Sequence, residues 1–362
     1  MDLGPYLQDI EARLDPAVEN ALEDEWRRFT FGTWDEPVFA PARPRPALPG
    51  IEWPSVTVNK AMDDFDAMAL QQLRMCSQVL ADGGGALLSV RCNYGTGILP
   101  SVFGAELFVM DEELNTLPTT RPLAGGADAM RRLLDRGMPD IRAGLGARTF
   151  EMAERFRRIM APYPKTSRYV HIYHPDVQGP MDVCELLWGS GLFIDVADYP
   201  ALVKDVLELI TAAYIAFMRE WEKIVPFEGD ATVHWGMMHR GRVMLRDDSA
   251  MNFSPEMYRE FIQPYDQRVL DAFMGGAIHF CGRGDHYIAD MCSSRGVYAI
   301  AMSQPHLNDM DRIYTNTIER GIKLIGFPSD EARRALASGR DLLGHVHCAD
   351  PSFRHQFARK PA

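Results

Sequence analysis

The feature that most constrains this chain is an alternation. Short apolar, β-branched runs at 86–91, 121–123, 169–173, 231–235, 277–281, 297–302, 322–326 and 344–348 are separated by longer stretches of helical spacing at 127–136, 147–161, 200–224, 255–274, 309–320 and 329–337. A strand followed by a helix and then another strand builds parallel pairs, because a parallel neighbour is reached only through a long crossover. About eight such strands close on themselves as a barrel. The sequence therefore predicts an α/β chain folded as a (β/α)8, or TIM, barrel. Local signals agree: Ser254 stands before Pro255 as a helix cap, and Asp82-Gly83-Gly84-Gly85 stops a helix that starts near residue 65.

Ahead of the alternation lies a different kind of segment. Leu7, Ile10, Leu14, Val18, Leu22 and Trp26 recur at spacings near three and four among many charges, as in an amphipathic helix. Pro37, Pro41, Pro44, Pro46 and Pro49 then deny the chain a helix and favour an extended connector. Residues 1–50 read as a helical arm with a Pro-rich connector, and 51–362 as the barrel. The arm can pack on the body or on a second copy in a homodimer.

Composition excludes several function classes. With 362 residues, 46% of them hydrophobic, the chain can bury one large core. A formal net charge of −12 speaks against a binder that tracks nucleic-acid phosphates. No apolar run approaches the roughly 18 residues of a membrane span, and Met1-Asp2-Leu3-Gly4 lacks the layout of a secretory signal, so the expected location is cytoplasmic. The cysteines at 76, 92, 184, 281, 292 and 348 are then thiols or ligands, not a disulfide framework.

In a barrel of this kind the reacting groups stand at the C-terminal ends of strands. Those ends are polar here: Arg91-Cys92-Asn93-Tyr94-Gly95, His171 through Pro180, His234-Trp235-Gly236, Arg246-Asp247-Asp248-Ser249 and His345-Val346-His347-Cys348. The end of the fifth predicted strand, 277–281, is the most suggestive. In Ile278-His279-Phe280-Cys281-Gly282 the histidine and cysteine are two apart, so they share one face of a strand while Ile278 and Phe280 pack on the other. An imidazole and a thiol on one face lack only a third arm to make a zinc site. The same pair also suits a packed core.

Taken in order, Gln178-Gly179-Pro180, Asp247-Asp248, Ser254-Pro255-Glu256 with Pro264, and His279-Phe280-Cys281-Gly282 resemble the uroporphyrinogen decarboxylase superfamily over roughly residues 55 to 350. That superfamily contains (β/α)8 decarboxylases and zinc-dependent methyltransferases that work with corrinoid proteins. The arginine-rich segment of the true decarboxylases has no counterpart in the first hundred residues, so the resemblance leans to the methyltransferase branch. It implies zinc held in a His-x-Cys … Cys pattern, onto which His279, Cys281 and Cys348 fall. His345 and His347, flanking that last position, stand as alternatives for the third arm.

What the resemblance implies for function is a zinc-dependent methyltransferase. A methyl group would pass between a corrinoid protein, docked at the open face, and a small thiol, methyl ether or methylamine. Asp248 or Tyr94 would polarise or protonate a leaving oxygen, and Asn93, Gln178, His234 and Arg283 would line the substrate pocket. Bland readings run beside these: Asp247-Asp248 as a solvated capping pair, Asn93-Tyr94-Gly95 as a turn with a core tyrosine, and Gly282-Arg283-Gly284 as a loop that clears space. Two rival functions remain open at this stage. One is a metal-free decarboxylase for a non-porphyrin substrate, with a carboxylate such as Asp248 stabilising a developing cation. The other is a non-catalytic binding subunit of a corrinoid system.

Overall fold

A computed structural model of the chain describes residues 1–354. The described residues form eight parallel barrel strands: β1 (Val38–Phe39), β2 (Ser89–Val90), β3 (His171–Ile172), β4 (Val243–Arg246), β5 (Gly276–Phe280), β6 (Val297–Met302), β7 (Lys323–Leu324) and β8 (Val346–His347). They are hydrogen-bonded in two arcs, β1-β8-β7-β6-β5-β4 and β2-β3, with every pair parallel. The fold is the α/β barrel that the alternation of strands and helices predicts.

Two of the strands come from unexpected places. β1 lies in the Pro-rich connector, where Pro37 and Pro41 bracket two residues that pair with β8. Proline is tolerated there because it stands outside the paired residues and so withholds no ladder N–H. β4 follows the 231–235 run that sequence reading placed in the barrel. That run is instead the first arm of an antiparallel hairpin, Ala231–His234 with Met237–Arg240. The weak 121–123 run is likewise the end of a hairpin, Glu106–Phe108 with Thr119–Arg121, outside the parallel set.

The gap between β3 and β4 is bridged without a ladder. The Met244 N–H donates to His174 Nε2 at 2.9 Å, and the Gly179 N–H donates to the Arg246 carbonyl at 3.0 Å. A Cβ on Gly179 would lie 2.3 Å from that same oxygen, so only glycine allows the approach. At the other gap the buried Arg43 guanidinium, paired with Glu19, donates to the carbonyls of Gly84 and Ala86.

Side-chain parity sorts the core into two layers. Ile278, Phe280, Ile300, Leu324 and Val346 face outward into the main core between strands and helices. Ala277, Ala299, Ala301 and Met244 face the lumen. Those small lumen residues leave room that other elements fill. The N-terminal arm is two helices, α1 (Gly4–Arg13) and α2 (Pro16–Phe31), the second capped by the Asp15 carboxylate on the Ala17 N–H. α2 sends Leu22, Trp26 and Phe29 into the lumen cluster, joined there by Val233 and Met238 of the 231–240 hairpin. Trp26 is fully buried and its indole N–H donates to the Gly85 carbonyl at 2.9 Å. Truncating such a residue to alanine costs about 3–5 kcal/mol. The arm thus plugs one end of the barrel, which leaves the C-terminal strand ends as the mouth.

Candidate metal centre

β5 sits between β4 and β6, with His279 level with Arg246 on one side and Ala301 on the other. Parity turns the imidazole into the lumen, and Cys281 follows two residues later where the strand has ended. β4 delivers the third group. Beyond Arg246 the chain breaks into a short 3-10 turn beginning at Asp248, whose N–H and that of Ser249 donate to the Asp182 carboxylate at 3.0 and 2.7 Å. This clamp fixes the Asp248 side chain at the mouth. His279 Nε2 lies 3.4 Å from Cys281 Sγ and 3.6 Å from Asp248 Oδ1. All three ligand atoms lie within 4.8 Å of one another.

The electrostatics leave the free site with a neutral imidazole and a protonated thiol. Burial holds the His279 imidazole below its ordinary pKa, against the opposing pull of Asp248, so the ring is neutral near pH 7. Burial pushes the Cys281 thiol up to about 11, and Asp248 adds to the rise while a contact with Ser303 Oγ at 3.5 Å offsets part of it. Asp248 Oδ1 is buried with no hydrogen-bond donor. A buried acceptor without a partner is costly unless something occupies the site. Ligand bonds of about 2.0–2.3 Å in a tetrahedron put neighbouring donor atoms roughly 3.3–3.6 Å apart, which is the spacing of His279 Nε2 from both Cys281 Sγ and Asp248 Oδ1. The three residues fit a zinc-sized ion with an open fourth position.

Beside this group a second set of charges spans the strand ends. Asp176 sits between the guanidiniums of Arg91 and Arg246. Burial pushes its carboxyl up, but Arg246 and Arg91 override that and hold it well below the usual carboxylate range. His234, fully buried, lies 3.1 Å from Arg246, and burial keeps it neutral. Trp235 packs its ring under Arg246, with the guanidinium carbon 4.7 Å from the ring centre, and meets His279 edge to face at 5.1 Å.

The residues expected from sequence end up in different places. Asp248, His279 and Cys281 come together. Cys348 does not join them: it is fully buried on the outer side of β8 with Val346, its thiol near Ser329 and Asp350. The cause is parity. His347, one residue earlier, points inward against Trp26 and Phe39, so its neighbour must point outward. His347 is spent as a lumen ring, with Nδ1 accepting the Gly326 N–H at 3.1 Å, and His345 bonds the Leu343 carbonyl. Tyr94 is wholly buried in the outer core with Arg148 stacked over its ring, away from the metal-site residues. Asn93 donates to Gln71, Gln178 is buried with its Oε1 unbonded, and His234 lies beneath Arg246. Arg283 turns outward to Asp285 at 2.8 Å. Sequence reading missed Trp235, Arg246, Asp176 and Ser303 as participants. The signal for the first two was a single extra strand, Val243–Arg246, which would have recast 231–240 as a hairpin.

No family model matches the chain, and no curated protein matches it. Among solved structures it is similar to a methyltransferase from Methanosarcina mazei, at 16% sequence identity and a TM-score of 0.57, over 94% of this chain and 92% of that one. The two chains share a fold.

Proposed function

We propose that the chain is a metal-dependent methyltransferase whose ion, zinc, is held by His279, Cys281 and Asp248. The reading rests on one observation above the rest: an imidazole, a thiol and a carboxylate brought within ligand distance of one another at the mouth of the barrel. The shared fold with a methyltransferase supports the reaction class. Zinc at this position would supply Lewis acidity that lowers the pKa of a thiol or hydroxyl brought to it.

The chain's own residues do the rest. Cys281 would hold the ion as a thiolate, its proton released to solvent, and Asp248 would contribute a hard oxygen where the resemblance implies a second thiolate. One thiolate fewer donates less electron density, so the centre is a stronger Lewis acid. Asp182 keeps the Asp248 backbone in place, and Trp235 floors the site. A corrinoid protein docking at the mouth is the methyl carrier in this proposal, because a corrinoid is too large for the lumen, which α2 and the hairpin fill.

The test is metal analysis and methyl transfer together. Protein stripped with a chelator and reloaded should hold zinc near one per chain and demethylate methylcobalamin in the presence of a small thiol. Asp248→Asn should weaken zinc roughly 10- to 100-fold. Zinc that binds Asp248→Asn as tightly as the parent would sink the ligand set.

A further inference from the structure

Trp235 occupies a conformation that a tryptophan rarely adopts. It and Gly236 are the central residues of the two-residue turn joining Ala231–His234 to Met237–Arg240, with φ values of 51° and 73°. Two left-handed residues make a type I′ turn, which glycine, asparagine and aspartate enter readily. A bulky aromatic there is strained and persists only where its surroundings over-determine it.

The surroundings do. The Gly236 carbonyl accepts the Leu87 N–H at 2.8 Å, which ties the tip of the hairpin to the strand ahead of it. The indole edge meets the His279 imidazole at 5.1 Å with planes 85° apart, while the Arg246 guanidinium lies over the ring at 4.7 Å. Trp235 is the only aromatic ring in contact with His279 among the described residues. Arg246 and His279 are level neighbours on adjacent strands and face the same lumen. Without an intervening group, a guanidinium would stand against the imidazole expected to carry a cation. The indole fills that place, and Arg246 is drawn instead to Asp176.

We infer that Trp235 is a positioning residue of the metal centre, supplied by the inserted hairpin and not by a barrel strand. It sets the plane of the His279 ring so that Nε2 faces Cys281 and Asp248, and it shields that ring from Arg246. The inference rests on the metal reading above, and the experiment separates the two.

Cobalt(II) serves as the probe, through its affinity in competition with a chromophoric chelator, its visible spectrum and its quenching of tryptophan emission. The parent should bind one cobalt per chain with quenching. Trp235→Phe should keep affinity within about threefold, because the phenylalanine still presents a ring to the imidazole, and should lose most of the quenching, because the nearest indole is gone. Trp235→Leu should weaken cobalt about tenfold or more and alter the visible spectrum, as loss of a supporting partner does. Should the leucine variant not fold, Trp235→Met carries the same expectation. Parent-like affinity and spectrum in Trp235→Leu overturn this inference and leave the metal site standing. A parent that binds no cobalt overturns both.

Discussion

Two strand ends carry nearly the same chemistry and are put to opposite uses. β5 ends in His279-Phe280-Cys281, and β8 ends in His345-Val346-His347-Cys348. On β5 the two ligand types are separated by one residue, so both face the mouth, 3.4 Å apart. On β8 the histidine and cysteine are adjacent, so the strand sends one to each side: His347 into the lumen rings, Cys348 into the helical layer. One residue of spacing decides whether a strand can build a site. The end of β4 repeats the lesson, with Asp247 buried outward against Asp266 and Tyr258 while Asp248 faces Cys281.

The comparison is broken most directly by exchanging which cysteine is lost. Cys281→Ser should reduce zinc affinity by about a hundredfold or more, since a thiolate ligand is replaced by a hydroxyl that does not ionise near neutrality, and the half-buried position should leave thermal stability nearly unchanged. Cys348→Ala should do the reverse. Zinc stoichiometry stays at the parent value, while deletion of a fully buried thiol lowers stability by roughly 1–2 kcal/mol, a few degrees in Tm. Metal analysis and a thermal melt on the two variants read both effects, and zinc lost from Cys348→Ala would mean that the parity argument is wrong.

A finer measurement concerns protons. Burial holds His279 neutral and pushes the Cys281 thiol up to about 11, so near neutrality the free site carries one proton that the ion must displace. Zinc affinity should therefore rise about tenfold per pH unit between roughly pH 6 and 9, with one proton released per ion bound. Isothermal titration in two buffers of different ionisation enthalpy counts that proton. A count of two would require a second thiol among the ligands and would return Cys348 to the site.

Much of this was legible in advance because it depends on short-range periodicity. Alternating patterns announce parallel strands, and the i, i+2 spacing of His279 and Cys281 states their common face without any structure. What the sequence did not announce is where pairing interrupts the pattern. The run 231–235 has the composition of a barrel strand, yet Trp235-Gly236 turns it back on itself within the lumen. β1 is two residues inside a proline-rich stretch, too short for any pattern to mark. Asp248 was visible as a candidate acid. Its place beside the thiol depends on the Asp182 clamp, a contact across 66 residues that no local signal encodes. Tyr94, taken from its place at a strand end, and Cys348, taken from the resemblance, both lie in the outer core, because side-chain direction and not position decides which layer a residue enters.

The smallest expected effect tests the outward half of the β4 pair. Asp247 and Asp266 are buried together, each carboxyl almost without exposure. Burial raises both, with Asp182 adding to the rise at Asp266, which is pushed up to about 8. A carboxyl whose pKa is raised in the folded chain contributes stability that is fully present below the unfolded value near 4 and is lost as pH climbs toward the folded value. An amide in place of Asp266 imitates the protonated acid at every pH. Asp266→Asn should therefore match the parent Tm within a degree or two at pH 5 and exceed it by on the order of 2–6 °C at pH 8.5. Zinc affinity should not change, because the substitution lies on the side of β4 away from Cys281. An equal shift at both pH values would show that the outward pair holds no proton. A change in zinc binding would show that the two faces of β4 are not separated in the way the two ends of β5 and β8 imply.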